Sequence, residues 1–275
     1  DGEDADDSPS ALGIDPRLSA RWQVSEGGTL KAGTGLYQQS PEDVGEETGR
    51  MERAWSSEVG FKQRFGAWGS VDLTAFYKTI DRLVVSNPDL VDPEEDPLYV
   101  NTGRGRVYGG EVLLRKEPVG PVFGWISYTL SKAERSDDRC HWYDFDYDQT
   151  HILTAVGGYS FPYDFDLSGR LQYVTGNPYT PYDGAVYNLD TGPWRAETSE
   201  ETNSARMAPY WALDLRLGKL LTFRMWQLEL YVDLLNLLHG DNPEGIVYNY
   251  DYSEFAYVQG LPFIPSIGVD AKWRF

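Results

Sequence analysis

Residues 265–275 read Pro265-Ser266-Ile267-Gly268-Val269-Asp270-Ala271-Lys272-Trp273-Arg274-Phe275. Ile267, Val269, Ala271, Trp273 and Phe275 are apolar, and the residues between them are small or charged. Successive residues of a strand point to opposite faces, so this segment has one oily face and one wet face. A soluble sheet can use such a strand once. A sheet with lipid on one side and a polar interior on the other must repeat it in every strand.

The pattern does repeat. Near the start, Leu18, Ala20, Trp22 and Val24 alternate with Arg17, Ser19, Arg21 and Gln23. Val71, Leu73, Ala75 and Tyr77 alternate with Asp72, Thr74, Phe76 and Lys78. Phe165, Leu167, Leu171 and Tyr173 oppose Asp166, Ser168, Arg170 and Gln172, and Trp226, Leu228, Leu230 and Val232 oppose Gln227, Glu229, Tyr231 and Asp233. Both faces of 151–161 are apolar, so its facing stays unassigned. About eleven such segments occur, each near the roughly 9–11 residues that a tilted strand needs to cross a bilayer.

The connections alternate between short turns, such as Pro162-Tyr163-Asp164, and long loops, the longest over 176–207. Most of the 43 Asp and Glu fall in the long loops and in the acidic start, residues 1–14. Short turns at one end and long loops at the other are the asymmetry of an outer-membrane barrel, with the long loops outside the cell. The expected fold is therefore all-β, an antiparallel transmembrane β-barrel wall over residues 15–275. Lipid is expected against Leu18, Trp22, Leu30, Val59, Leu73, Val112, Leu171, Leu215, Leu230, Val269 and Phe275, with Ser168 in the lumen. A soluble meander or sandwich would instead carry a polar outer face and a dry inner one. The charged inner face argues against it.

Composition agrees. Aromatics are 14%, with 19 Tyr and 9 Trp, as expected where rings line a membrane interface. No apolar run approaches the ~18 residues of a membrane helix. The net charge of −19 argues against nucleic acid as a partner. The single cysteine, Cys140, allows no internal disulfide; it is either a free loop thiol or a bridge to another chain. The start, Asp1-Gly2-Glu3-Asp4, lacks an export pattern, so a signal was removed or the chain begins inside a longer product.

Several stretches then read together, in order: Asp15-Pro16-Arg17-Leu18, Tyr128-Thr129-Leu130-Ser131, Asp148-Gln149-Thr150-His151, Thr175-Gly176-Asn177-Pro178-Tyr179-Thr180-Pro181, Leu213-Asp214-Leu215-Arg216, Val232-Asp233-Leu234-Leu235-Asn236 and Gly260-Leu261-Pro262-Phe263-Ile264-Pro265-Ser266-Ile267-Gly268. The set resembles the C-terminal half of the barrel of TonB-dependent outer-membrane receptors. The resemblance implies the outer membrane of a Gram-negative bacterium, contact with its lipid and lipopolysaccharide, and active uptake of a scarce ligand such as a metal chelate, vitamin or glycan. It also implies that Trp273 and Phe275 belong to the signal read by the barrel-insertion machinery.

Family barrels have about 22 strands around a plugged lumen. About eleven strands make half of one. Eleven is odd, and the first and last strands run the same way, so closing them on each other would create a parallel pair. The expectation is a companion chain, or an N-terminal half of the same product, carrying the remaining strands, the plug and the contact with the TonB complex. The alternative is a non-transporting barrel scaffold in a surface assembly.

Chemistry beyond binding is sparse. No nucleophile–base–acid set stands out among His141, His151, His239 and their neighbours, so no enzyme and no cofactor are expected. His141, Asp144, Asp146 and Asp148 can ligate a divalent cation, since hard cations take clustered carboxylate oxygens. A solvated acidic loop accounts for the same pattern.

Overall fold

The computed structural model describes residues 13–40, 51–87, 97–136, 141–187, 189 and 193–273. Residues 1–12 of the acidic start, Cys140 and Phe275 lie outside the described residues. β1 (Arg17–Gln23), β2 (Gly28–Gln39), β3 (Glu52–Arg64), β4 (Gly69–Ser86), β5 (Tyr99–Lys116) and β6 (Val122–Ser136) form an antiparallel meander. The short β7 (Trp142–Asp144) pairs with the end of β6, and the meander resumes with β8 (His151–Phe161) and β9 (Phe165–Val174). Four short strands follow in the next loop: β10 (Pro178–Tyr179), β11 (Tyr182–Tyr187), β12 (Trp194–Thr198) and β13 (Ala205–Arg206). β14 (Tyr210–Thr222) and β15 (Trp226–Leu235) continue the wall; β16 (Gly245–Tyr248) and β17 (Phe255–Val258) form a hairpin in a loop; and β18 (Ile264–Trp273) closes the series.

The wall is one sheet, ordered β1-β2-β3-β4-β5-β6-β8-β9-β14-β15-β18. No helix occurs among the described residues, and so none long and apolar enough to cross a membrane; this says nothing of crossing by strands. β1 and β18 are the two edges and do not pair with each other. Each enters from the long-loop end, so the two edges run in the same direction.

Registers fix the facing. Trp22 pairs with Leu30, Leu30 with Phe61, Phe61 with Leu73, Leu73 with Val112, and Val112 with Tyr128. The row continues through Leu153 and Tyr173 to Trp211. Directly paired residues share a face. Every described member of the expected lipid-facing set therefore lies on one face, and Ser168 lies on the other beside Arg216. β8 is also resolved: Leu153 and Ala155 take the apolar face, while Ile152, Thr154 and Val156 join the polar one. The facing was illegible in sequence because Ile152 and Val156 are apolar residues on the polar side.

A single sheet has no interior of its own. Among the described residues only Ile80, Val174 and Ala212 are buried hydrophobics, whereas Trp22, Ile267 and Val269 are 69%, 85% and 62% exposed. An apolar face this extensive is an aggregation surface in water and a satisfied one in lipid. Rings mark its two borders. At the short-turn end Phe223 stacks on Trp226 at 4.4 Å, and Trp226 on Trp273 at 6.1 Å. At the long-loop end stand Tyr77 and Tyr108, paired at 6.3 Å, then Tyr128, Tyr173 and Trp211. Phe165 and Tyr173, at the two ends of β9, are about 27 Å apart along the strand, or roughly 20 Å after a 40° tilt, close to the ~25 Å apolar band of such barrels. Beyond the upper belt the same face turns charged, with Arg106 2.6 Å from Glu134 and Arg53 3.9 Å from Asp81.

The strands also run further than their apolar patterning suggests. β4 and β5 have 18 residues each, well past the bilayer, and their pairing shifts register around Arg82, which has a φ of 64°. Such a bulge bends and twists the pair where it leaves the membrane.

Candidate functional site

The polar face is a ladder of cross-strand ion pairs. Lys31 Nζ lies 2.6 Å from Asp72, Arg170 2.7 Å from Asp214, and Arg216 3.0 Å from Glu229 and 3.2 Å from Asp233. Arg216 also lies 3.6 Å over the Tyr231 ring. These pairs are partly exposed, so each contributes little to stability by itself. Together they keep the inner wall wet and ordered.

At the long-loop end the wall carries a buried ionic knot. Asp148 is 1% exposed. Its carboxylate accepts from the Ala133 amide at 2.5 Å, from Thr150 Oγ1 at 3.1 Å and from Arg206 Nη2 at 2.5 Å. Arg206 also reaches Asp144 at 2.7 Å and donates to the carbonyls of Asp148 and Gly176 at 2.7 and 3.3 Å. Lys132 is a second cation, 2.5 Å from Asp144 and 4.0 Å from Asp148. Asn203 donates to the Asp144 carbonyl at 2.7 Å and to Asp146 at 2.6 Å, while Thr180 Oγ1 accepts from its amide at 2.9 Å. A carboxylate this buried requires compensation by charge and hydrogen bonds. The arrangement supplies both and ties the segment after β7 to the loop that contains β13.

This placement matches neither reading of the acidic loop. Asp144 and Asp148 face cations and Asp146 takes an amide donor, so the three do not converge as ligands. Among the described residues no group of three or more His, Cys, Asp or Glu is arranged to hold a metal ion. Nor is the cluster a solvated loop, because its central carboxylate is buried. His141 is exposed, and His151 Nδ1 lies 2.8 Å from the Tyr128 hydroxyl on the apolar face. The carboxylates were legible in sequence; Lys132, Asn203 and Arg206 were missed because the fold brings them from 12 to 62 positions away.

A second tie holds the next loop. Asn236, 5% exposed with a φ of 49°, donates to the carbonyls of Gly240 and Leu261, both at 2.9 Å, and accepts from the Gly240 amide at 3.1 Å. Asp214 accepts from the Asn236 amide at 2.9 Å, and Asn242 accepts from the Trp211 amide at 2.8 Å. A Cβ on Gly176 would collide with the Met207 carbonyl, so the close approach of those two loop ends needs glycine.

On these ties stands an aromatic cluster shared by the two loops. Tyr182 meets Tyr248 at 4.7 Å and Tyr252 at 5.3 Å; Phe255 lies 6.0 Å from Tyr248 and 5.6 Å from Tyr257. Burial holds the Tyr179 phenol above the usual tyrosine range, with Tyr248 and Tyr257 adding to the effect. At the turn, the hydroxyl and amide of Ser253 hold Asp251 below the usual aspartate range. Rings of this kind present polarisable faces and phenolic hydroxyls, suited to binding rather than to bond-making.

A wall with an apolar girdled face, a charged inner face and structured loops at one end defines the class: a transmembrane β-barrel. The family model for the TonB dependent receptor-like β-barrel matches residues 3–237, and the chain belongs to that family, one of outer-membrane proteins of Gram-negative bacteria. Three solved structures illustrate the likeness. The ferric-catecholate import receptor Fiu from E. coli K12 superposes with a TM-score of 0.67 at 18% identity, over 94% of this chain and 34% of that one. The ferripyoverdine receptor of Pseudomonas aeruginosa gives 0.66 at 15% identity, over 94% and 32%. The ferric yersiniabactin uptake receptor FyuA from Yersinia pestis gives 0.66 at 14% identity, over 94% and 37%. At these identities the likeness is one of fold, and the chain spans about a third of the length of such receptors. No curated protein matches the sequence.

Proposed function

We propose that this chain is the C-terminal half of the barrel of a receptor for active ligand uptake, with its long loops outside the cell. The rest of the barrel, the plug and the contact with the TonB complex come from a companion chain or from an N-terminal half of the same product. The observation that carries the reading is the pair of open edges. β1 and β18 run in the same direction and leave their outer backbone groups unpaired. In hydrocarbon each such group costs several kcal/mol. A set of strands that begins and ends in the opposite direction satisfies both edges with antiparallel pairs and brings the count to the ~22 of the largest plugged barrels.

The ligand sits against the loops at the open end. The Tyr182–Tyr248–Tyr252 cluster supports a ligand with ring or other flat apolar surface, and the structurally similar ferric-catecholate, ferripyoverdine and ferric yersiniabactin receptors suggest the class to try first, a ferric chelate. The experiment is purification under native conditions in detergent, with the mass of every polypeptide determined. The expected result is a second set of barrel strands and a plug, on a companion or in the same product. A folded monomer of only 31.1 kDa would refute the reading. A lumen filled by an unrelated polypeptide would favour a non-transporting scaffold. Orientation is tested by a membrane-impermeant thiol reagent on intact cells, where Cys140 should react without opening of the outer membrane.

A further inference from the structure

At the short-turn end of the apolar face one row of the sheet is nearly bare. Gly69 pairs with Lys116, Lys116 with Gly124, Gly124 with Gly157, and Gly157 with Gly169. Paired residues share a face, so Lys116 is the lone long side chain in a row of glycines. Gly69, Lys116 and Gly124 of this row line a trough of about 550 Å³, walled by Phe65, Trp68, Val71, Leu114 and Ile126. That volume is in the range of ligand clefts, roughly 300–1,000 Å³.

The charge in this trough is unusual. Lys116 Nζ donates to the carbonyls of Glu117 at 2.8 Å and Val119 at 3.2 Å, and stands 5.5 Å from the Trp68 ring. Among the described residues it has no carboxylate within ion-pair distance, although the polar face is rich in such pairs. An ammonium has three donors, and one remains for an outside acceptor. An apolar trough on the lipid side, with an uncompensated cation at its interfacial end, matches a lipid that has an apolar chain and an anionic head.

We propose that this trough is a phospholipid site: it seats one acyl chain of an anionic phospholipid, whose phosphate is held by Lys116. The site rests on the transmembrane fold; only the choice of leaflet, the periplasmic one, rests on the orientation proposed above. Carbonyls and the Trp68 ring fix the ammonium at the border, so it can meet a phosphate without crossing hydrocarbon. The charge selects phosphatidylglycerol over a zwitterionic lipid.

The test uses the natively purified protein with whatever polypeptide accompanies it. The sample is placed in nanodiscs of phosphatidylethanolamine and phosphatidylglycerol at about 3:1, stripped mildly, and read by native mass spectrometry; folding is followed by heat-modifiable gel migration. Wild type should retain phosphatidylglycerol with about fivefold preference, the size of one lysine contact with an anionic headgroup. Lys116→Gln should lose the preference, and Val71→Trp, which fills the trough from a lipid-exposed position, should lose the retained lipid. Both should still migrate as folded barrels. Equal retention by wild type and both variants, retention of lipopolysaccharide instead, or no headgroup preference in a folded barrel would overturn the site. Wild type that never shows a folded, heat-modifiable band would remove the membrane fold, and the site with it.

Discussion

Replacing Asp148 by Asn tests whether the ionic knot holds the loops. The change preserves shape but removes the charge that faces Arg206 and Lys132. The new amide also sets a donor against the Arg206 guanidinium or turns away from the Ala133 amide; it cannot serve both. Losing one partner of a buried pair costs about 3–5 kcal/mol when the other is left bare. Here Arg206 keeps Asp144 and two carbonyls, and its side chain is 28% exposed. The cost should therefore fall to about 2–3 kcal/mol, the scale of one charge-assisted hydrogen bond. Because the knot ties two loop segments to the outer end of β6 and touches no other wall strand, the loss should be local. Amides over 141–150 and 203–207 should exchange about 30- to 150-fold faster, at 1.4 kcal/mol per factor of ten, while those of β14 and β15 stay protected. Hydrogen exchange with mass spectrometry in detergent reads both regions in one sample. Exchange at 203–207 within about threefold of wild type would refute the reasoning, and the β10–β13 pairing would then have to hold the loop. Equal loss of protection in the wall would refute it in the other direction.

Leu215→Arg or Leu230→Arg, each on the lipid face, should cost about 2–4 kcal/mol and reduce the membrane-inserted, heat-modifiable fraction, whereas Ser168→Arg should not; equal tolerance of both classes would reverse the facing. Asn236→Ala removes three buried hydrogen bonds at a positive φ and should cost about 2–4 kcal/mol, read as faster proteolysis within 239–259. Asn236→Gly should recover only the backbone share. The raised Tyr179 pKa means that the folded loop favours the neutral phenol. Its contribution to stability is present below the unfolded tyrosine value and is lost as pH rises through the higher folded value. Alkaline titration should therefore loosen the aromatic cluster above about pH 10, and Tyr179→Phe should remove that component of the absorbance change near 295 nm.

The wall was legible because each strand repeats a rule that lipid enforces. With one face in hydrocarbon, a residue such as Leu215 or Val269 can only be apolar, and the alternation survives without knowledge of any partner strand. Where lipid ends, the rule ends with it. The outer halves of β4 and β5 carry no apolar alternation because Asp81, Arg104 and Arg106 continue the apolar face as charges, and the strands persist through their backbone pairing and cross-strand ion pairs. β8 read ambiguously for the opposite reason, since Ile152 and Val156 are apolar where the rule expects polar residues. The hairpins β11–β12 and β16–β17 lie wholly outside the membrane and carry no such signature.

The rim shows what the scattered sequence motifs are for. Asp148-Gln149-Thr150-His151 supplies the buried carboxylate, a threonine that donates to it and a histidine whose amide donates to Thr175 Oγ1 at 3.1 Å. Thr175-Gly176-Asn177 supplies that hydroxyl, the glycine of the tight approach to Met207 and, through Asn177, a partner for Gln149 at 3.1 Å. Leu213-Asp214-Leu215-Arg216 and Val232-Asp233-Leu234-Leu235-Asn236 meet where Asp214 accepts from the Asn236 amide. Each motif thus sits where a strand leaves the membrane and a loop begins. That is where backbone groups lose their ladder partners and have not yet reached free water, so an unpaired group is costly and side chains must complete the set. A rim fixed in this way leaves the loop tips free to vary while the wall beneath them stays the same. It also explains why the motifs identify the barrel and say nothing of its loop tips.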